Sequence, residues 1–77
     1  MTYLITFYSQ FDAILANRIL ISAGVPVRLM PVPRAVSSSC GTCVQFDLDR
    51  PPVQSDLPRV EWEDVYRHCG GGWEKIG

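Results

Sequence analysis

The chain has 77 residues, 47% hydrophobic and 19% charged, with seven basic against eight acidic side chains and a formal net charge of −1. That length suffices for one small domain: so short a chain buries only about 60% of the surface its unfolded form exposes. The scattered bases exclude a nucleic-acid footprint, and the longest apolar stretch, Phe11–Ala23, is too short and too interrupted by Asp12, Asn17 and Arg18 to span a bilayer.

Tyr3–Tyr8, rich in aromatic and β-branched residues, reads as a first strand buried on both faces. Ser9 and Asp12 form an N-terminal cap for a helix from Gln10 to Ala23, which Gly24 ends and Pro26 keeps from continuing. Leu15, Ala16, Ile19, Leu20 and Ala23 are expected to face the sheet. Ile14 and Ile21 fall on the opposite side, a strip that suits either solvent or a partner, a second copy included. Val25–Met30 reads as a second strand, parallel to the first through a right-handed crossover. Pro31 and Pro33 end its ladder, since neither donates a backbone hydrogen bond.

Thr42–Leu48 is predicted as a third strand with Val44, Phe46 and Leu48 inward and Cys43, Gln45 and Asp47 outward. Arg50–Arg59, with three prolines, is a loop. Glu61–Cys69 places Trp62, Val65, Tyr66 and Cys69 at helical offsets and is predicted as a short helix ended by Gly70-Gly71-Gly72; Trp73–Ile76 is a possible last strand. The order matches an α+β fold of ferredoxin-like split β-α-β type: an antiparallel sheet, helices on one face, the other face open, the C-terminal elements shortened.

The segment Pro31–Cys43 carries the chemistry. It sets Cys40 and Cys43 on a small-residue turn, Ser37–Gly41, behind a proline arm bearing Arg34. Thiolates are the nucleophiles and metal ligands, so a cysteine on such a loop near a cation is a candidate for reaction. Fully extended, Cys40 and Cys43 would stand ~10 Å apart between Cα atoms. A disulfide tolerates at most about 7 Å, so pairing requires a turn at Gly41, which takes positive φ freely. Arg34 and Arg28, with the donors of Ser39 and Gly41, are the candidates to stabilise an anion there; a solvated loop charge reads equally well for Arg34. Cys69 is read as a buried structural thiol. Zinc held by Cys40, Cys43, His68 and Cys69 is an alternative, although adjacent His68 and Cys69 would diverge on a helix. A thioredoxin-type reading fails because this pair leads into a strand. No cofactor motif, phosphate loop, nucleophile elbow or HExxH is present. An odd number of cysteines and no basic-then-apolar leader point to a reducing cytoplasm.

Tyr3–Ser9, Asp12-Ala13, Ala23–Leu29, Pro31-Val32-Pro33-Arg34 and Ser37-Ser38-Ser39-Cys40-Gly41 together resemble the small bacterial selenium/sulfur carrier-like family. The likeness covers residues 2 to 48 of a single carrier-like domain, 1–77, and leaves 50–77 as a divergent tail. It implies that the Cys-Gly cysteine, Cys40, carries sulfur or selenium as a persulfide. Cys43 would resolve the persulfide or relay the atom. The partners would be a sulfur donor protein, a cysteine desulfurase or rhodanese-like protein, and an acceptor, with neither nucleic acid nor membrane. Such a carrier is not strictly a turnover enzyme. Alternatives are a non-catalytic interaction or regulatory domain using the open sheet face or the Ile14/Ile21 strip, and a metal-binding module built on the CxxC pair.

Overall fold

A computed structural model describes residues 1–77, apart from the side chain of Gln54. Its elements are β1 (Thr2–Thr6), α1 (Gln10–Ser22), β2 (Val27–Pro31), β3 (Thr42–Asp47), a single 3-10 turn (Gln54–Asp56), β4 (Asp64–Cys69) and β5 (Gly72–Lys75). The strands form one sheet in the order β2-β3-β1-β4-β5, with every neighbouring pair antiparallel. Because β1 and β2 are both antiparallel to β3, they run in the same sense with β3 inserted between them. This is the split β-α-β arrangement of an α+β fold.

Local signals account for α1. The Ser9 hydroxyl accepts the Asp12 amide at 3.2 Å and donates to the Asp12 carboxylate at 2.8 Å, fixing an N-cap with extended backbone. At the other end the Val25 amide reaches the Leu20 carbonyl and the Gly24 amide the Ile21 carbonyl, both at 3.0 Å. This crossed pair of bonds requires the left-handed backbone that Gly24 adopts at φ +76°. The helix buries Ala13, Ala16 and Leu20, while Leu15 and Ala23, expected inward, are exposed. Small residues in the middle of the buried face let the helix sit close to the sheet and rotate Leu15 outward.

β1 lies at the centre, paired on both sides, and Tyr3, Leu4, Ile5 and Thr6 are fully buried. Tyr3 and Ile5 join Phe7, Val44, Phe46, Val65 and the helix in the main core. Leu4 joins Cys43 and Val36 on the opposite face, flanked by Met30, Val32, Tyr66 and Trp73. That second face was expected to be open and Cys43 to point into solvent. Instead the proline arm folds back across it, so Val32 and Val36 cover Leu4 and Cys43.

The predicted second helix is a strand. Asp64–Cys69 pairs with β1 on one side and β5 on the other, placing Val65 in the main core and Tyr66 on the reverse face. A nine-residue helix followed by three glycines is too short to be stable by itself, whereas the strand gains a ladder on both edges. The glycines make a hairpin: Cys69 pairs with Gly72, and Gly70 and Gly71 between them hold φ +55° and +81°. Two successive positive φ values define the mirror-image turn that matches strand twist. Cys69, expected inside a helix face, is therefore exposed at the end of β4. The place of a second helix over the sheet is taken by loop residues Leu57, Val60 and Trp62, which pack on the main core. That loop is clasped by Arg50, whose guanidinium meets the Asp56 carboxylate at 2.5 and 2.9 Å, while the same carboxylate accepts the Val53 amide at 2.9 Å. No helix among the described residues is long and apolar enough to cross a membrane.

A side chain with a Cβ at a left-handed position costs about 1–2 kcal/mol. Gly71→Val, whose added Cβ meets open space, is therefore expected to lower the melting temperature by roughly 4–15 °C through backbone strain alone. Gly71→Asn should cost less, because Asn tolerates that region. Thermal unfolding followed by circular dichroism measures both.

Candidate functional site

The connection from β2 to β3 leaves the sheet at Pro31 and returns at Thr42, and its base is closed by the Val32 amide donating to the Gly41 carbonyl at 3.1 Å. Within it the Val36 amide donates to the Pro33 carbonyl at 3.0 Å, a turn that puts Arg34 at its exposed corner. The chain then passes through Ser37–Ser39 to Cys40. Gly41, at φ +76°, turns it into β3. Thr6 of β1 sits opposite Cys43, so the cysteine loop lies at the end of the sheet from which the chain leaves β1 for α1.

The two thiols separate. Cys40 is half-buried, packs against the helix-side core, and donates to the Thr42 carbonyl at 3.4 Å. Cys43 is buried in the reverse-face cluster, its sulfur 3.8 Å from the Pro31 carbonyl. Both are free thiols packed on opposite faces of one sheet. Burial pushes the Cys43 thiol up to about 11, and the charge of an ionised Cys40 adds to the rise. Desolvation penalises the thiolate, and a neighbouring anion does the same.

The expected anion stabilisers are differently placed. Arg28 is exposed on the edge strand opposite Gln45, and Arg34 is exposed on its turn. Among the described residues neither guanidinium makes an ion pair or a hydrogen bond to Cys40. Ser39 is engaged by a residue that the sequence did not single out: Glu63. Its carboxylate accepts the Ser39 amide at 3.1 Å and the Ser39 hydroxyl at 2.7 Å. Glu63 is itself held at this end of the sheet because its amide donates to the Thr6 carbonyl at 2.7 Å. Both Ser39 donors, one residue before the candidate nucleophile, thus already hold an anion. Next to them the Ser38 hydroxyl oxygen is buried without a partner.

The residues weighed for zinc are not brought together. Asp64 pairs with Thr6, so β4 starts at the Cys40 end and carries His68 and Cys69 to the far end of the sheet. There His68 packs edge-on against Trp73 with ring centroids 4.9 Å apart. Among the described residues no group of three or more His, Cys, Asp or Glu side chains converges.

The domain is thus a small split β-α-β sheet with half-buried Cys40 on a Ser-Cys-Gly loop. Residues 2–56 match the family described as putative Se/S carrier protein-like, and the chain belongs to it. No curated protein and no solved structure matches the chain.

The ionisation of Cys43 is held above its ordinary value of 9.0 in the folded state, so folding favours the protonated thiol. The stability this represents is complete below pH 9 and declines as pH rises toward about 11. Alkylation with iodoacetamide at neutral pH is expected to label Cys40 and Cys69 and spare Cys43. Labelling of Cys43 should rise only as pH approaches that value, which peptide mass mapping would resolve. Glu63→Ala removes two charge-assisted hydrogen bonds from an exposed loop and is expected to speed amide exchange at Ser39 about tenfold. Exchange in the β1 and β3 amides should remain unchanged.

Proposed function

We propose that the protein is a carrier of sulfur or selenium in which Cys40 holds the transferred atom. The observation that supports this reading most is the division between the loop thiols: Cys40 is half-buried at the loop end, whereas Cys43 is fully buried on the reverse face of the sheet. Carriage begins when the Cys40 thiolate attacks the terminal sulfur of a donor's persulfide. A new S–S bond forms at Cys40, the donor's S–S bond breaks, and the donor cysteine leaves as a thiolate. No net oxidation occurs, so no cofactor is called for. An acceptor thiolate then takes the terminal atom by the same exchange. Donors of this chemistry are a cysteine desulfurase or a rhodanese-like protein, and the reducing cytoplasm is the fitting compartment.

Cys43 governs the lifetime of the intermediate. If its thiolate attacked the Cys40 sulfur, hydrogen sulfide would leave and a Cys40–Cys43 disulfide would remain, wasting the cargo. Burial and a thiol held near 11 suppress that attack while the proline arm is closed. Resolution by Cys43 therefore belongs to a state in which residues 32–36 have lifted. Arg34 and Arg28 serve the approach of an anionic donor site rather than Cys40 directly, since both guanidinia are exposed.

Intact-mass analysis in a Cys69→Ser background tests the proposal, because exposed Cys69 would otherwise compete. Incubation with a cysteine desulfurase and cysteine is expected to add one sulfur to the protein, with the adduct lost in Cys40→Ser and retained in Cys43→Ser. Failure of both desulfurase and rhodanese donors to load Cys40, or loading that survives Cys40→Ser, would overturn it.

A further inference from the structure

The outward face of α1 carries four exposed apolar side chains. With Ala13, Ala16 and Leu20 toward the sheet, the opposite side presents Phe11, Ile14, Leu15 and Ile21, which are 72%, 43%, 37% and 59% exposed, and Tyr8 just ahead of the cap is 56% exposed. At 100° per residue Phe11 and Arg18 lie along the middle of this face, with Ile14 and Ile21 on one flank and Leu15 on the other, and Arg18 is the one charge inside the stripe. Asp12, the nearest acid on the helix, is turned back onto Ser9. None of the ion pairs among the described residues uses Arg18.

The stripe is self-complementary. About the midpoint between Ile14 and Leu15, Phe11 falls opposite Arg18 of the second copy, while Ile14 and Leu15, on opposite flanks of the stripe, each fall opposite their own counterpart. Two copies of α1 laid antiparallel across a two-fold axis at that midpoint bring the Phe11–Arg18 pair into contact twice and set Ile14 and Leu15 beside the axis, as an isologous interface requires. Arg18 of one copy then lies over the ring of Phe11 of the other, a cation–π contact that uses the free charge. The four apolar helix residues leave a patch on the order of 400 Å² per protomer, so pairing would bury roughly 800 Å², the size of a weak, reversible association. A membrane surface fits less well, because an interfacial helix carries basic residues along its polar margins and this stripe has a single arginine.

We infer that α1 is a homodimer interface, in which two copies pair antiparallel through Phe11, Ile14, Leu15, Arg18 and Ile21. This rests on the helix surface alone and stands or falls independently of sulfur carriage. The interface leaves the second sheet face and the Cys40 loop on each copy outside the helix pair.

Sedimentation equilibrium of the full chain over micromolar to sub-millimolar concentrations is the test. The wild type is expected to reach the mass of a dimer, and Ile14→Glu, at the two-fold axis, to remain monomeric with an unchanged circular dichroism spectrum. Phe11→Arg sets arginine against arginine and is expected to weaken association at least tenfold. The swap Phe11→Arg with Arg18→Phe restores the contact in this register and should recover most of that loss. A wild type that stays monomeric throughout, whether or not another protein binds the stripe, overturns the proposal. So does a dimer that persists in Ile14→Glu, or a swap that recovers nothing.

Discussion

The position of β1 governs this structure. It is a short strand with every side chain buried except half-buried Thr2, so it needs a hydrogen-bonded neighbour on each edge and a cover on each face. Chain order supplies none of these neighbours directly: α1 follows β1, and β2 comes back to the edge of the sheet. β3 and β4 must therefore enter on either side of β1 from later in the chain. The insertion of β3 between β1 and β2 turns the β2–β3 connection into an excursion off the end of the sheet. That excursion is the cysteine loop.

Covering the second face links this architecture to the chemistry. With one α-helix among the described residues, the chain must find other apolar material for the reverse side of β1 and β3, and the proline arm provides it through Val32 and Val36. Proline favours the arm because its fixed φ lowers the entropy lost when the arm docks. The cost of closing that face is that Cys43 is buried under the arm, with its ionisation suppressed. One residue pattern thus yields a half-buried thiol and a fully buried one three positions apart.

Glu63 shows how the distal half of the chain shapes the site. It lies in the loop that replaces a second helix, beyond the proline-rich stretch, yet its carboxylate fixes Ser39 and its backbone fixes its own position on β1. The two hydrogen bonds that Ser39 donates to this carboxylate restrain the loop that presents Cys40.

The elements readable in the amino-acid sequence are those whose determinants lie within a few residues of one another. Ser9, Asp12 and Gly24 delimit α1, and alternation in Val44 and Phe46 marks β3. The Ser-Cys-Gly turn announces its thiol, and the α+β split arrangement follows from the order of these pieces. Glu61–Cys69 misled because Trp62, Val65, Tyr66 and Cys69 satisfy a helical period by coincidence, and only pairing with β1, some 60 residues away, decides for a strand. The side on which Cys43 is hidden, the exposure of Cys69 and the Ser39–Glu63 contact were likewise settled by tertiary structure. Each depends on which distant segment covers a given surface, and local periodicity reports only that a side chain changes face, never what lies on the other side.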